Sequence, residues 1–442
     1  MNVADLFKQK ELSVKESLGL LLDNYDNFKF LDRVYKVFQY SDEPKFFQYA
    51  SEFKDISSKT DGNIRSNRKA GGSSFFSEEL ALLKCLGETV ERYSCTVYRS
   101  KNLIKGTFAN LEGKALDLKS IVAFSENQRK HSYFDKFNFS ESTPFTWVKG
   151  QSLISGKQIL LPAQMIYYSY KFSKKERMIY VPISTGAAGG SCLASALVRG
   201  ILEIVERDAF MISYLNQLHS PRVDLSKIKD IRVDYLKNVA KRYRLEWSVI
   251  DMTNDLEIPA IASVVIDKSG YGPAVLVGLK ANLNPIDAII GSFEEAINIR
   301  GWMRHTYEDD FEKYKNLNPK HIHNVEQRGM YWFPKKMIKQ LDFWLENNLD
   351  FNIDRYKYFG KTMSHGKLLK ILFSNLRKKG FDVFFTEVTV PEIKKLQYRV
   401  VKVIIPQLQP FYQSEYYPYL GGERLFKYSN GGSYNNVPHP FL

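Results

Sequence analysis

Ile201-Leu202-Glu203-Ile204-Val205-Glu206-Arg207-Asp208 is the stretch that decides how this chain is read. Residues three apart share a helix face, so Glu203 and Glu206 point one way while the neighbouring Leu, Ile and Val positions pack inward. The face that carries the carboxylates is therefore partly buried. The same Glu-x-x-Glu-Arg unit stands earlier, in Leu86-Gly87-Glu88-Thr89-Val90-Glu91-Arg92. Each copy follows a small-residue segment read as a turn: Gly71-Gly72-Ser73-Ser74 before the first, Gly189-Gly190-Ser191 before the second. The two copies read as one unit used twice.

Glutamates that converge in a partly buried site repel one another and lose hydration, so their pKa values rise unless a cation neutralises them. Mg²⁺ suits this role, because it prefers oxygen ligands and usually keeps several waters together with phosphate oxygens. Arg92 and Arg207 then supply forked donors to phosphate. The plainer assignment, exposed glutamates paired with nearby Lys or Arg, is outweighed by the recurrence of the unit behind matching glycine segments. Ser184 to Ser191 has no Gly-Lys-Ser/Thr ending, and no Gly-x-Gly-x-x-Gly follows a strand, which leaves a P-loop or Rossmann site without support. The turn can still cradle a phosphate if a strand at Met178 to Ile183 feeds it and a helix leaves it with free N–H groups.

Around these units the composition is that of an ordinary globular chain of 442 residues, 44% hydrophobic and 25% charged, with room for two to three domains. Sixty-three Lys and Arg against 49 Asp and Glu give a net charge of +14, but the basic residues do not gather in one tail or helix. That argues against nucleic acid and for attraction of an acidic peptide partner. No apolar run is long enough for a membrane span or a secretory signal, and three cysteines build no disulfide framework, so a cytoplasmic protein is expected. Cys85, Cys95 and Cys192 and the seven histidines show no zinc spacing.

Residues 1–70 read as a helix-rich region, with amphipathic segments at Ser17 to Asp23 and Leu31 to Phe38, ending in the polar stretch Ser57 to Arg68. From 71 to 442 strands (Gln158 to Leu161, Met178 to Ile183, Trp247 to Ile250, Ile258 to Ile266, Val400 to Ile405) mix with long helices such as Ala194 to Phe210. The fold class is α/β or α+β. Residues 311–360 read as a helical insertion, and 438–442 as a proline-rich tail.

At these residues the sequence resembles the YcaO family, and more closely its azoline-forming, streptolysin-type cyclodehydratases. Besides the two glutamate units, the resemblance rests on Trp147-Val148-Lys149-Gly150, Leu161-Pro162-Ala163, Ser184 to Gly189, Asp251-Met252-Thr253 and Glu294-Glu295-Ala296-Ile297-Asn298. Towards the end it adds Val403 to Pro410, Gly421-Gly422-Glu423-Arg424-Leu425 and Pro438-His439-Pro440-Phe441-Leu442. In this order and spacing the motifs are specific.

The resemblance implies an ATP- and Mg²⁺-dependent enzyme of thiazole/oxazole-modified peptide (bacteriocin-type) biosynthesis. Glu88, Glu91, Glu203 and Glu206 would hold metal and phosphates, Arg92 and Arg207 contact phosphates, Glu295 with Asn298 complete the pocket, and Arg199, standing where the family often has Gln, would replace a lost nucleotide contact. It implies a ribosomal precursor peptide as substrate, an E1-like partner protein that binds its leader, since no such extension precedes this region, and a flavin-dependent azoline dehydrogenase as a further partner. It also implies that the terminal carboxylate of Leu442, set by Pro438 and Pro440, is the base. Lys84, Ser195, Arg199 and Gly291 depart from the family pattern. Thioamide or amidine formation, or a non-catalytic scaffold that binds precursor peptide, stand as the alternatives.

Overall fold

Ser13 opens the first long helix, α1 (Val14–Leu22), with a capping box in which its Oγ accepts the Glu16 N–H and Glu16 accepts the Ser13 N–H. The computed structural model describes residues 3–24, 28–62, 68–121, 123–346, 350–351, 353, 356–357, 362–429, 431 and 433–442. After α1 come strands β1 (Leu31–Lys36) and β2 (Phe47–Phe53), which corrects the helix expected at Leu31 to Phe38 and the helix-rich reading of residues 1–70. Apolar residues at 31, 34, 35 and 38 fit a helical period. Val34 and Tyr35 also favour a pleated surface, and pairing with β2, Leu31 opposite Phe53 and Val34 opposite Ser51, decides the matter. Residues 63–67 of the polar stretch at Ser57 to Arg68 lie outside the described residues.

The first glycine segment is not a turn but part of strand β3 (Lys69–Ser74), which completes an antiparallel sheet in the order β1-β2-β3. Helix α2 (Glu78–Thr96) then packs directly on it. A Cβ on Gly72 would lie 2.3 Å from the Ala81 carbonyl oxygen and 2.3 Å from the Cys85 nitrogen, so only glycine lets strand and helix touch. Strands β4 (Ile104–Thr107), β5 (Pro144–Ser152) and β6 (Gln158–Pro162) follow, and the second glycine segment is strand β7 (Ala187–Gly190) ahead of helix α3 (Leu193–Leu215). Met178 to Ile183 is no strand. Pro182 has no N–H to give a ladder, and the N–H groups of Met178, Ile179 and Val181 go to the Lys136 carbonyl, the Gln164 side chain and the Tyr419 hydroxyl.

The second half runs β8 (Arg222–Val223), α4 (Ile231–Arg242), β9 (Leu245–Asp251), β10 (Ala260–Asp267), β11 (Val275–Ala281), α5 (Pro285–Asn298), β12 (Asp350–Phe351), α6 (His365–Lys378), β13 (Phe384–Glu387) and β14 (Arg399–Ile404). These build a sheet ordered β11-β10-β9-β8-β12 and a six-stranded sheet ordered β4-β5-β13-β14-β7 with β6 on β5. Nearly all pairings are antiparallel, so the α+β form of the expected class is the one observed. Within 311–360 the described residues form short helical turns and the strand β12, parallel to β8, so the segment is not purely helical. Residues 347–349, 352, 354–355 and 358–360 of it lie outside the described residues. Helix α3 is the axis of the molecule: Leu197, Ile201, Val205, Phe210 and Tyr214 are buried in a core shared with β10, β11 and β14. Among the described residues no helix is long and apolar enough to cross a membrane.

Candidate active site

β3, β7 and β11 each end a sheet, and a free strand edge leaves backbone N–H groups without a ladder partner. In all three cases a glutamate of the next helix takes one. Glu88 Oε2 accepts from the Gly71 N–H at 2.7 Å, Glu203 Oε2 from Gly186, just before β7, at 3.0 Å, and Glu295 Oε2 from Leu279 at 2.7 Å. Glu206 reaches from α3 to the Ala281 N–H of β11 at 2.9 Å. Gly71, Gly186 and Gly278 each stand 17 residues before Glu88, Glu203 and Glu295. The unit is thus used three times. The third copy carries adjacent Glu294 and Glu295 instead of Glu-x-x-Glu, and the glycine interval is the signal by which sequence could have revealed it.

The glutamates of the three units meet at one cavity of about 550 Å³ whose wall holds Glu88, Glu91, Glu203, Glu206 and Glu295 with Lys84, Arg199, Arg207 and Lys280. Burial, then the charges of Glu203 and Glu88, push the Glu91 carboxyl well above the usual carboxylate range. Burial likewise raises Glu203, against the pull of Arg207, and lifts Glu295 to about 7 with Glu206 adding to it. Arg207 lies 3.7 Å from Glu203 and 3.4 Å from Glu206, yet its Nε and Nη1 are buried without a hydrogen-bond partner among the described residues. Carboxylates short of positive charge beside an arginine with spare donors fit a metal ion carried with phosphate. No cluster of three or more potential ligands is already drawn together for a metal among the described residues. Mg²⁺ does not require one, since one or two carboxylates with water and phosphate oxygens suffice.

Not every expected residue reaches the cavity. Arg92 ion-pairs with Glu88 at 2.6 Å and donates to the Lys69 carbonyl, standing behind the wall. Asn298 accepts from the Gln48 side chain of β2 at 2.9 Å and does not line the cavity. Arg199 does line it, held by Glu11 at 2.7 Å and the Gly189 carbonyl. Ser195 does not line the cavity and closes the first turn of α3, donating to the Cys192 carbonyl. The Ala194 N–H at that helix start is taken by the Gln9 side chain, so it is not free to cradle a phosphate.

The tail is anchored rather than frayed. The Pro438 carbonyl accepts from Tyr214 and from the Trp332 indole, and Arg328 donates to the His439 carbonyl. His439 is fully buried, its Nε2 is 2.8 Å from the Tyr412 carbonyl, and burial beside Arg328 holds it well below its usual pKa. Phe441 packs near Phe210 and lies under the Arg207 guanidinium, 4.0 Å from its ring centre. Pro438, Pro440 and Leu442 do not line the cavity, and the Leu442 side chain packs towards Gly329. The tail meets the site through Phe441 and Arg207.

Three residues that support the site escaped the sequence reading. Lys402, buried in β14, donates to the carbonyls of Ile183, Ser184 and Thr185 ahead of β7; a lysine inside the apolar run Val400 to Ile405 was its signal. Asp208, fully buried at the end of the second glutamate unit, takes a two-point contact from Arg424 at 2.8 Å and 2.8 Å, which ties the Gly421 to Leu425 motif to α3. Glu294 accepts from the Phe75 N–H and from Lys84 at 2.8 Å, joining α5 to β3 and α2.

Three strand-and-helix units whose carboxylates face one cavity define an α+β protein built to hold a polyanion together with a divalent cation. The chain belongs to the YcaO family: residues 74–409 match the family model described as YcaO cyclodehydratase, ATP- and Mg²⁺-binding. Its fold is that of three solved relatives. A heterocyclase in complex with substrate and cofactor matches with a TM-score of 0.77 and 20% identity over 96% of this chain and 57% of that one. YcaO from Methanopyrus kandleri, bound with AMPPCP and Mg²⁺, matches at 0.68 and 14% over 93% and 95%. The E. coli microcin synthetase McbBCD complex matches at 0.61 and 13% over 92% and 96%. The chain spans 66% and 30% of the lengths of two curated relatives that it matches.

Proposed function

We propose that this chain is an ATP-dependent cyclodehydratase that closes Cys, Ser or Thr residues of a ribosomal precursor peptide onto the preceding backbone carbonyl, giving thiazoline or oxazoline rings with loss of water. The observation that carries the reading is the meeting, at one cavity, of glutamates that cap three strand edges, beside Arg207 donors that have no hydrogen-bond partner among the described residues. Bound Mg–ATP supplies the phosphoryl group that makes the amide oxygen a leaving group, and the metal charge that offsets the carboxylates. Glu91, Glu203 and Glu206 face the cavity as ligands, and Glu88 and Glu295 frame it from β3 and β11. The hydrogen bonds of Glu88, Glu203, Glu206 and Glu295 to strand N–H groups fix their orientation before anything binds. Arg207 offers Nε and Nη1 to phosphate oxygens, and Arg92 steadies Glu88 from behind. Phe441 seats Arg207 from below, and the Leu442 carboxylate is not assigned as the base, because Pro438, Pro440 and Leu442 stand outside the cavity wall.

The precursor is delivered, on this reading, by a separate leader-binding protein, and a flavin-dependent dehydrogenase can oxidise the azolines afterwards. Relatives described with substrate or as a synthetase complex support that assignment. The test is mass spectrometry of candidate precursor incubated with this chain, its leader-binding partner and Mg–ATP. Loss of one water per ring, dependent on nucleotide, is expected, whereas an unchanged peptide mass in the presence of an active partner refutes the assignment.

A further inference from the structure

Strand β11 is buried along its whole length except at Lys280, which lines the nucleotide cavity. Its two neighbours in sequence are engaged with the carboxylates, Leu279 N–H with Glu295 and Ala281 N–H with Glu206. Lys280 therefore emerges between two of the cavity's acidic groups, and its ammonium forms neither an ion pair nor a hydrogen bond with the described residues, although Glu295 feels its charge. Across from it, Gly291 on α5 has no side chain. A Cβ there would lie 2.9 Å from Lys280 Cγ and 3.1 Å from its Cδ, so the lysine stem fills the space a larger residue would take. Position 291 is one turn before Glu295 on the same helix face. The missing side chain at 291 thus gives the Lys280 stem its room.

Resting on the Mg–ATP reading above, we propose that Lys280 is a phosphate-binding residue of this cavity, specific for the di- or triphosphate end of the nucleotide, and that Gly291 is the vacancy that lets it stand there. An ammonium with no ion-pair or hydrogen-bond partner among the described residues can turn its donors to an incoming anion, and an ammonium-to-phosphate contact is of the strong, charge-assisted kind.

Calorimetry on the full-length chain with Mg²⁺ and ATP, ADP or AMP tests this. Lys280→Met is expected to weaken ATP about tenfold, as the loss of one such contact does, and AMP less than about twofold, while Lys280→Arg retains most of the ATP affinity. Gly291→Ala, which crowds the stem, is expected to weaken ATP in the wild-type background and to add little in Lys280→Met, because both changes remove the same contact. Equal losses for ATP and AMP, or none for either, overturn the proposal while wild-type binding upholds the Mg–ATP reading. A wild-type chain that binds no nucleotide overturns both.

Discussion

Glu295 shows what the cavity costs when it holds no cation. Its folded-state pKa, about 7, lies above the ordinary 4.5, so between those values the native chain keeps a proton that the unfolded chain has released. Stability of the ligand-free protein therefore falls as pH rises through that window. Urea unfolding from pH 4.5 to 8 is expected to show this decline, and Glu295→Gln to flatten it. Affinity for Mg–ATP should run the opposite way, rising with pH, because the carboxyls of Glu91 and Glu203, raised by burial, must lose their protons before the cation enters. Glu91→Gln should abolish Mg-dependent ATP binding with the fold intact, since the amide removes the charge and leaves the packing; unchanged affinity by calorimetry would contradict this. Lys84 belongs to the same scale. Lys84→Met leaves the buried Glu294 without its ammonium partner, and a loss of about 1–2 kcal/mol is expected, held down by the half-exposed position of the lysine.

Among the elements, the contact of glycine strands with the helices that follow them sets how close the carboxylates come to the strand edges. A Cβ on Gly278 would sit 2.1 Å from the Ser292 carbonyl and 2.3 Å from the Ala296 nitrogen, as tight as at Gly72. Gly72→Ala or Gly278→Ala should each destabilise by about 1–3 kcal/mol through forced separation of strand and helix, read as a lower urea midpoint. These glycines also show what could be seen in the sequence. Glu88, Glu91, Glu203 and Glu206 were legible because helix periodicity is local, and so was α3. That the glycine segments are strands was not, because Gly-Gly reads as a turn until the helix packed against it is known. Leu31 to Phe38 failed for the same reason: its apolar spacing suits both a helix and a strand, and only its partner β2 decides. Asn298 was placed in the pocket by the family resemblance alone, but on α5 its side chain meets Gln48 instead.

For the whole molecule, the net charge of +14 is long-range and salt-sensitive. Association with an acidic precursor should slow about tenfold between roughly 10 mM and 150 mM salt, with the chemical step unchanged, in stopped-flow measurements. A rate indifferent to salt would remove steering from the account. The buried tail has a consequence in time. Residues 437–441 follow nearly everything they touch in order of synthesis, yet they pack beside Phe210 and Trp332 in the central core. At about 5–20 residues per second, a ribosome finishes α3 many seconds before it makes these residues. Through that interval the nascent chain carries an open seam along its own axis. A frameshift just before the codon of Val437 would strip out an inner wall, where the loss is of solubility and yield as much as of turnover.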